Sequence, residues 1–193
     1  MTGDKNGFTL MEMLVSLALF SVVVTISTDL FFTFQRVSRK TESFEHLVSD
    51  ARLIIEQIAR EVREGTIHYS AYPTLPLNTP QTTLKILDSS AVPVEFAFNA
   101  SCPDNSEFPC LTIARGGSPE RLSGVDTRVI NAQFFISPTL DPFNFSADTG
   151  NYLADSQPRV TVALSLDNGK DAGDPNYIRY DVQTTISSRV YRR

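Results

Sequence analysis

The sequence predicts an α+β protein, with one long N-terminal α-helix followed by a head of antiparallel β-strands. Three observations carry this expectation. The 19 residues from Phe8 to Ile26 form a predominantly apolar run with one charge, Glu12. No glycine or proline interrupts the 57 residues between Gly7 and Gly65. All 11 prolines fall after Gly65, among short runs in which apolar and polar residues alternate.

The averages frame these elements without revealing them. The chain has 193 residues, is 41% hydrophobic and 20% charged, and carries a net charge of −5. Its mean hydropathy is −0.10. A length of about 100–200 residues is that of one domain. The composition excludes a polytopic membrane protein, a disordered acidic chain, a collagen and a disulfide-dense miniprotein. Binding nucleic acid through bulk positive charge is not indicated either. The average conceals two unlike parts.

The first part is residues 8–35. An apolar run of this length suits a helix crossing a bilayer core of about 30 Å, which takes about 20 residues. Residues 1–7 before it are polar. No small-residue cleavage site of the secretory type follows the run. Glu12 stands inside it, and a carboxylate in hydrocarbon costs ~3 kcal/mol at a helix centre unless it is paired.

The second part of the helix, residues 36–65, has a different texture. Val37, Thr41, Phe44, Val48, Ala51, Ile55, Ile58 and Val62 recur at alternating spacings of four and three, the stripe of an amphipathic helix. Arg52, Glu56, Arg60 and Glu64 alternate in sign at i,i+4, which suits a solvated flank. The stripe is expected to pack under the sheet that follows, and a short coiled coil is the alternative. Beyond Gly65, residues 66–193 form the head. Strands are expected at Thr82–Leu87, Val94–Asn99, Leu111–Arg115, Val129–Ser137, Arg159–Leu166 and Tyr177–Val190. Val94, Phe96 and Phe98 alternate with Glu95, Ala97 and Asn99, as in a strand with one face on a core.

The segment Gly7-Phe8-Thr9-Leu10-Met11-Glu12 resembles the class III signal sequence of type IV pilins and type II secretion pseudopilins. The resemblance combines a short polar leader, G-F-T-L-x-E and an unbroken apolar run. It implies a pilin-like fold in which the helix carries a β-sheet head. It implies that a prepilin peptidase cuts between Gly7 and Phe8 and N-methylates Phe8. It also implies that Glu12 pairs with the Phe8 amine of a neighbouring subunit. Such a pair fits the physics, because opposite charges in a low dielectric relieve one another's desolvation. The order of pieces in the head is similar to that of minor pseudopilin J and the PilW-like minor pilins.

The function expected from this resemblance is that of a structural minor pilin or pseudopilin, not an enzyme. Its partners would be prepilin peptidase, other pilin subunits, an inner-membrane assembly platform and the membrane. It would cross the inner membrane once, with the head extracytoplasmic. Charge flanking the apolar run favours the opposite orientation, since Arg36, Arg39 and Lys40 follow it and only Lys5 precedes it. The other function in view is an unprocessed binding or adhesion module on a plain anchor.

Other residues bear chemistry worth placing. Cys102 and Cys110 enclose a short polar loop and are expected to form a disulfide if the head lies outside the membrane. Asp167, Asp171 and Asp174 lie in an oxygen-rich run that superficially resembles a calcium loop without the spacing of an EF-hand. An Asp/Gly-rich hairpin connection is the favoured reading of that run, with calcium binding as the alternative, and no other cofactor is expected. Asp148-Thr149-Gly150 matches the aspartic protease tripeptide, but it lies in a polar loop without the flanking apolar strands that chemistry needs.

Overall fold

A computed structural model describes residues 9–104, 108–148 and 150–190. Helix α1 runs from Leu10 to Glu64 without a break. It is followed by strands β1 (Thr66–Ile67), β2 (Thr83–Leu87), β3 (Pro93–Asn99), β4 (Cys110–Arg115) and β5 (Glu120–Arg121). These five form one antiparallel sheet in chain order. Strands β6 (Arg128–Ser137), β9 (Arg159–Asp167) and β10 (Arg179–Ser187) form a second antiparallel sheet ordered β10-β9-β6. A two-residue hairpin, β7 (Phe145–Ser146) and β8 (Asn151–Tyr152), stands between β6 and β9. The architecture is α+β and pilin-like, a long N-terminal helix packed against antiparallel sheets.

The chain divides into two compact units, residues 1–42 and Ser43–Arg193. In the first, α1 shows only exposed side chains. Its span is long and apolar enough to cross a membrane. Several of the hydroxyls that interrupt it are satisfied within the helix. Ser16 donates to the Glu12 carbonyl at 2.8 Å, Thr25 to that of Ser21 at 2.9 Å, and Thr28 to that of Val24 at 2.8 Å. Such back-bonding lets polar side chains sit in an apolar surface without an unpaired donor.

In the second unit the remainder of α1 joins both sheets in one core. Its buried residues are Leu47, Ala51, Ile54, Ile58, Ala59 and Val62. Burying a leucine or isoleucine contributes about 1.5–3 kcal/mol, so this row accounts for much of the hold of helix on sheet. The row differs from the expected stripe. Val48 and Ile55 are only half-buried, while Leu47 and Ile54 beside them are fully buried. Val37, Thr41 and Phe44 are exposed. The expected flank of Arg52, Glu56, Arg60 and Glu64 is exposed as well.

All six expected strands are present within three residues at each end. The two-residue strands β1, β5, β7 and β8 were not expected, because so short a pairing carries no period. The sheets meet at β6. Gln81 and Phe134 exchange backbone hydrogen bonds of 2.9 and 2.8 Å, and the Val129 N–H donates to the Pro109 carbonyl at 3.0 Å.

The C-terminal end of α1 is closed by the far end of the chain. The Arg189 N–H donates to the Arg63 carbonyl at 3.2 Å, and the Ser188 hydroxyl to the Gly65 carbonyl at 3.2 Å. These contacts satisfy carbonyls that a helix end leaves unpaired. Gly65 is required here by a close approach. A Cβ added to it would lie 2.5 Å from both the Ile86 methyl Cγ2 and the Leu87 carbonyl oxygen. Gly65→Ala is therefore expected to destabilise the head by about 1–3 kcal/mol, the range for overpacking a tight site. A thermal midpoint equal to that of the unaltered chain would show that β2 yields without cost.

Candidate functional site

The first candidate site is the N-terminal turn of α1. Gly7 and Phe8, the expected cleavage pair, lie outside the described residues. Thr9 sits at the helix N-cap, and its Oγ1 accepts a hydrogen bond from the Glu12 N–H at 3.3 Å. The Met13 N–H donates to the Thr9 carbonyl at 3.2 Å. Thr9 and Glu12 are thus the first and fourth residues of a T-x-x-E capping arrangement, which fixes where the helix begins. Glu12 falls in the first helical turn, where the helix dipole favours a negative charge. Its carboxylate has no hydrogen-bonding or ionic partner among the described residues. The role of Thr9 was legible in the T-x-x-E spacing, although the Gly7–Glu12 motif alone does not single it out.

The second is the cysteine pair. Cys102 and Cys110 form a disulfide with a Cα–Cα separation of 5.7 Å. It joins the loop after β3 to the first residue of β4. Closing a loop of eight residues' separation stabilises by about 2–3 kcal/mol in the chain-entropy account. Replacing both cysteines with serine is therefore expected to lower the head's thermal midpoint by about 4–12 °C. An equal midpoint for the reduced and oxidised chain would count against a structural role.

The third is the β9–β10 connection. The structure does not gather Asp167, Asp171 and Asp174 into one ligand set, and no three metal-binding side chains come together among the described residues. Asp167, 1% exposed, is held by Arg128 through two bonds, Nε to Oδ1 at 2.8 Å and Nη2 to Oδ2 at 2.7 Å. Arg128 Nη2 also donates to the Lys170 carbonyl at 2.9 Å. Arg128 and Asp167 are direct partners in the β6–β9 register. The bond to Asp167 is the main reason the guanidinium holds its proton still more firmly than usual. Phe108 lies over Arg128 with its centroid 5.9 Å from Cζ. Asp174 Oδ1 accepts from the Asn176 N–H at 2.7 Å, and the Asp174 N–H donates to the Asp171 carbonyl at 2.9 Å. The Asp167 carboxylate is thus taken up by an ion pair, and that of Asp174 closes a turn. Gly169 adopts a φ of +70°, and its Cβ position would fall 2.7 Å from the Phe108 ring.

Asp148 and Gly150 of the tripeptide are turn residues. Asp148 and Gly150 lie between β7 and β8, with the Gly150 N–H donating to the Ser146 carbonyl at 2.9 Å. Thr149 lies outside the described residues. Elsewhere the buried polar groups serve the fold. The Tyr69 hydroxyl donates to the Pro138 carbonyl at 2.8 Å, and burial raises its pKa well above the ordinary value. The Tyr72 hydroxyl accepts from the Lys85 N–H at 2.9 Å, and burial pushes its pKa up to about 12.

The family comparison bears on the N-terminal turn. Residues 3–28 match the model of the prokaryotic N-terminal methylation motif. The match spans the Gly7-Phe8 pair, Glu12 and most of the apolar run. The chain therefore carries a pilin-type N-terminus of the kind processed by prepilin peptidase, joined to a pilin-like fold. Comparison with curated proteins and with solved structures gives no match.

Proposed function

We propose that the chain is a structural minor pilin or pseudopilin. In this reading prepilin peptidase cuts after Gly7 and methylates Phe8. The mature subunit then leaves the membrane to join a type IV pilus-like or type II secretion pseudopilus filament. The observation that carries the reading is the methylation motif at residues 3–28 running directly into α1. The apolar span of α1 supports a single membrane crossing before assembly. In the filament, sister helices would cover that apolar surface, which stands exposed in the single chain. The hydroxyls that bond back to their own helix leave Glu12 and Asp29 as the charged groups of residues 8–35.

Glu12 would hold the neighbouring subunit's methylated amine, and the head would cap the filament, prime it or meet cargo. Resemblance of the head to minor pseudopilin J and PilW-like pilins supports the minor position. A Gly7→Ala chain co-expressed with prepilin peptidase tests the first step. The reading expects the leader to remain attached, seen as a larger mass than that of the processed chain. Cleavage at the usual rate would contradict it, and would favour an anchored binding module that needs no processing.

A further inference from the structure

The disulfide-bonded segment touches both sheets of the head. Cys102 and Cys110 are buried, and Cys110 opens β4, where it is paired with Asn99 of β3. Between the two cysteines, Asp104 meets Arg121 of β5 at 3.3 Å. The Pro109 carbonyl accepts from the Val129 N–H of β6 at 3.0 Å. Phe108 reaches further, to the β9–β10 connection. Its ring centroid is 5.9 Å from Arg128 Cζ, within the range of a cation–π contact.

The fit of this ring is close on both sides. Gly169 has a φ of +70°, and a Cβ added to it would lie 2.7 Å from the ring, so Phe108 fills the space a side chain would take. The Arg128 guanidinium beside the ring is bonded to both oxygens of Asp167 and to the Lys170 carbonyl. The ring thus covers the group that ties the connection down, and an ion pair is stronger where water is kept away. Phe108 is itself confined from two directions. Pro109 and Cys110 fix the chain after it to β6 and β3. The disulfide draws Cys102, at the start of the segment, against the same Cys110 with a Cα–Cα separation of 5.7 Å.

We propose that the Cys102–Cys110 disulfide is a redox-set clamp on the β9–β10 connection, acting through Phe108. Oxidised, it holds the ring on Gly169 and Arg128, and the exposed Lys170 and Asp171 are presented in one arrangement. Reduced, it releases the ring, water reaches the Arg128–Asp167 pair, and the connection opens while β9 and β10 stay paired. Closing the clamp takes two electrons and two protons from the two thiols and passes them to a disulfide-bearing oxidant, which leaves as a dithiol. A dithiol reductant runs the same exchange backwards. The clamp goes beyond the reading of the chain as a filament subunit and does not depend on it.

Amide hydrogen exchange of the full chain in detergent tests the clamp. The open state is set by dithiothreitol and, because both cysteines are buried, also by replacing both with serine. The reporters are the amides of Gly169, Asp174 and Tyr177, which donate to the Asp167 carboxylate and to the Asp171 and Asp174 carbonyls. Val162 and Leu164 of β9, the central strand of its sheet, are the reference. Opening the disulfide should speed exchange of the reporters about tenfold relative to β9. Phe108→Ala in the oxidised chain should give the same increase, and reduction should then add nothing. Phe108→Leu, which removes the aromatic face and keeps apolar bulk, should give a smaller increase of the same kind and serves if the alanine variant folds poorly. Equal reporter exchange in the closed and open states would overturn the clamp. An increase uniform over β9 and the connection would overturn it as well, making the disulfide a brace of the whole head. A Phe108→Ala chain that still responds to reduction in full would show that the ring does not carry the effect.

Discussion

A Glu12→Val chain is expected to be cut after Gly7, to remain in the membrane, and to enter the filament about tenfold less or worse. The expectation follows from where the carboxylate stands. Glu12 is in the first turn of α1, with no partner among the described residues, at the head of a predominantly apolar run. An acid in that position costs free energy in hydrocarbon unless a cation compensates it. Valine removes the cost and the attraction together. Membrane residence is therefore kept, while the proposed contact with a neighbour's amine is lost. Glu12→Gln should behave like the valine variant, because it keeps the shape without the charge. The fraction of chain recovered in sheared filaments, against the fraction left in membranes, measures the effect. Equal fractions for the unaltered and Glu12→Val chains would show that the carboxylate does not hold the neighbour.

The second large effect is expected in the head. Arg128→Ala should destabilise it by about 3 kcal/mol, since removing one partner leaves a buried carboxylate uncompensated. Asp167 is 1% exposed, and both its oxygens are bonded to Arg128. The same guanidinium fixes the Lys170 carbonyl, so the β9–β10 connection loses a tether as well. A loss of this size lowers the thermal midpoint by about 6–12 °C for a domain of this length. Arg128→Lys should fall between, keeping the charge without the two-pronged geometry. Replacing Arg128 and Asp167 together with methionine and leucine should recover most of the loss, because no charge is then stranded. A double variant as unstable as Arg128→Ala would show that packing around Phe108, not the ion pair, holds the connection. Thermal melts of the full chain in detergent distinguish these outcomes.

The ion pair also shows what the sequence could not display. Arg128 and Asp167 are 39 residues apart and meet only because the β6–β9 register sets them opposite. Read alone, Asp167-Asn168-Gly169 with Asp171 and Asp174 resembles a ligand run, since the sequence does not show that the cation bound by Asp167 is the distant Arg128 and not the adjacent Lys170. The major strands were legible because a half-buried strand writes its period into the chain, as β3 does with Val94 and Phe96 inward. The helix stripe was legible in kind and displaced in detail. Apolar residues stand in adjacent pairs at Leu47-Val48 and Ile54-Ile55, so either member completes a regular row. A strict 3.5-residue repeat drifts by about 20° per heptad on a straight helix, and this helix packs on sheets, with the row stepping through 47, 51, 54, 58 and 62. That β10 stands at the edge of its sheet among the described residues was invisible in the sequence, because it depends on which distant strands pair. The N-terminal site was the most legible part, since its leader, glycine, glutamate and apolar run are contiguous.

The central claim, that this is a processed filament subunit, is tested most directly by the mass of the chain's N-terminus after expression with prepilin peptidase. The account predicts a chain beginning at Phe8 and carrying one methyl group on its α-amine. A chain that retains residues 1–7, or begins at Phe8 unmethylated in the presence of active peptidase, would contradict it.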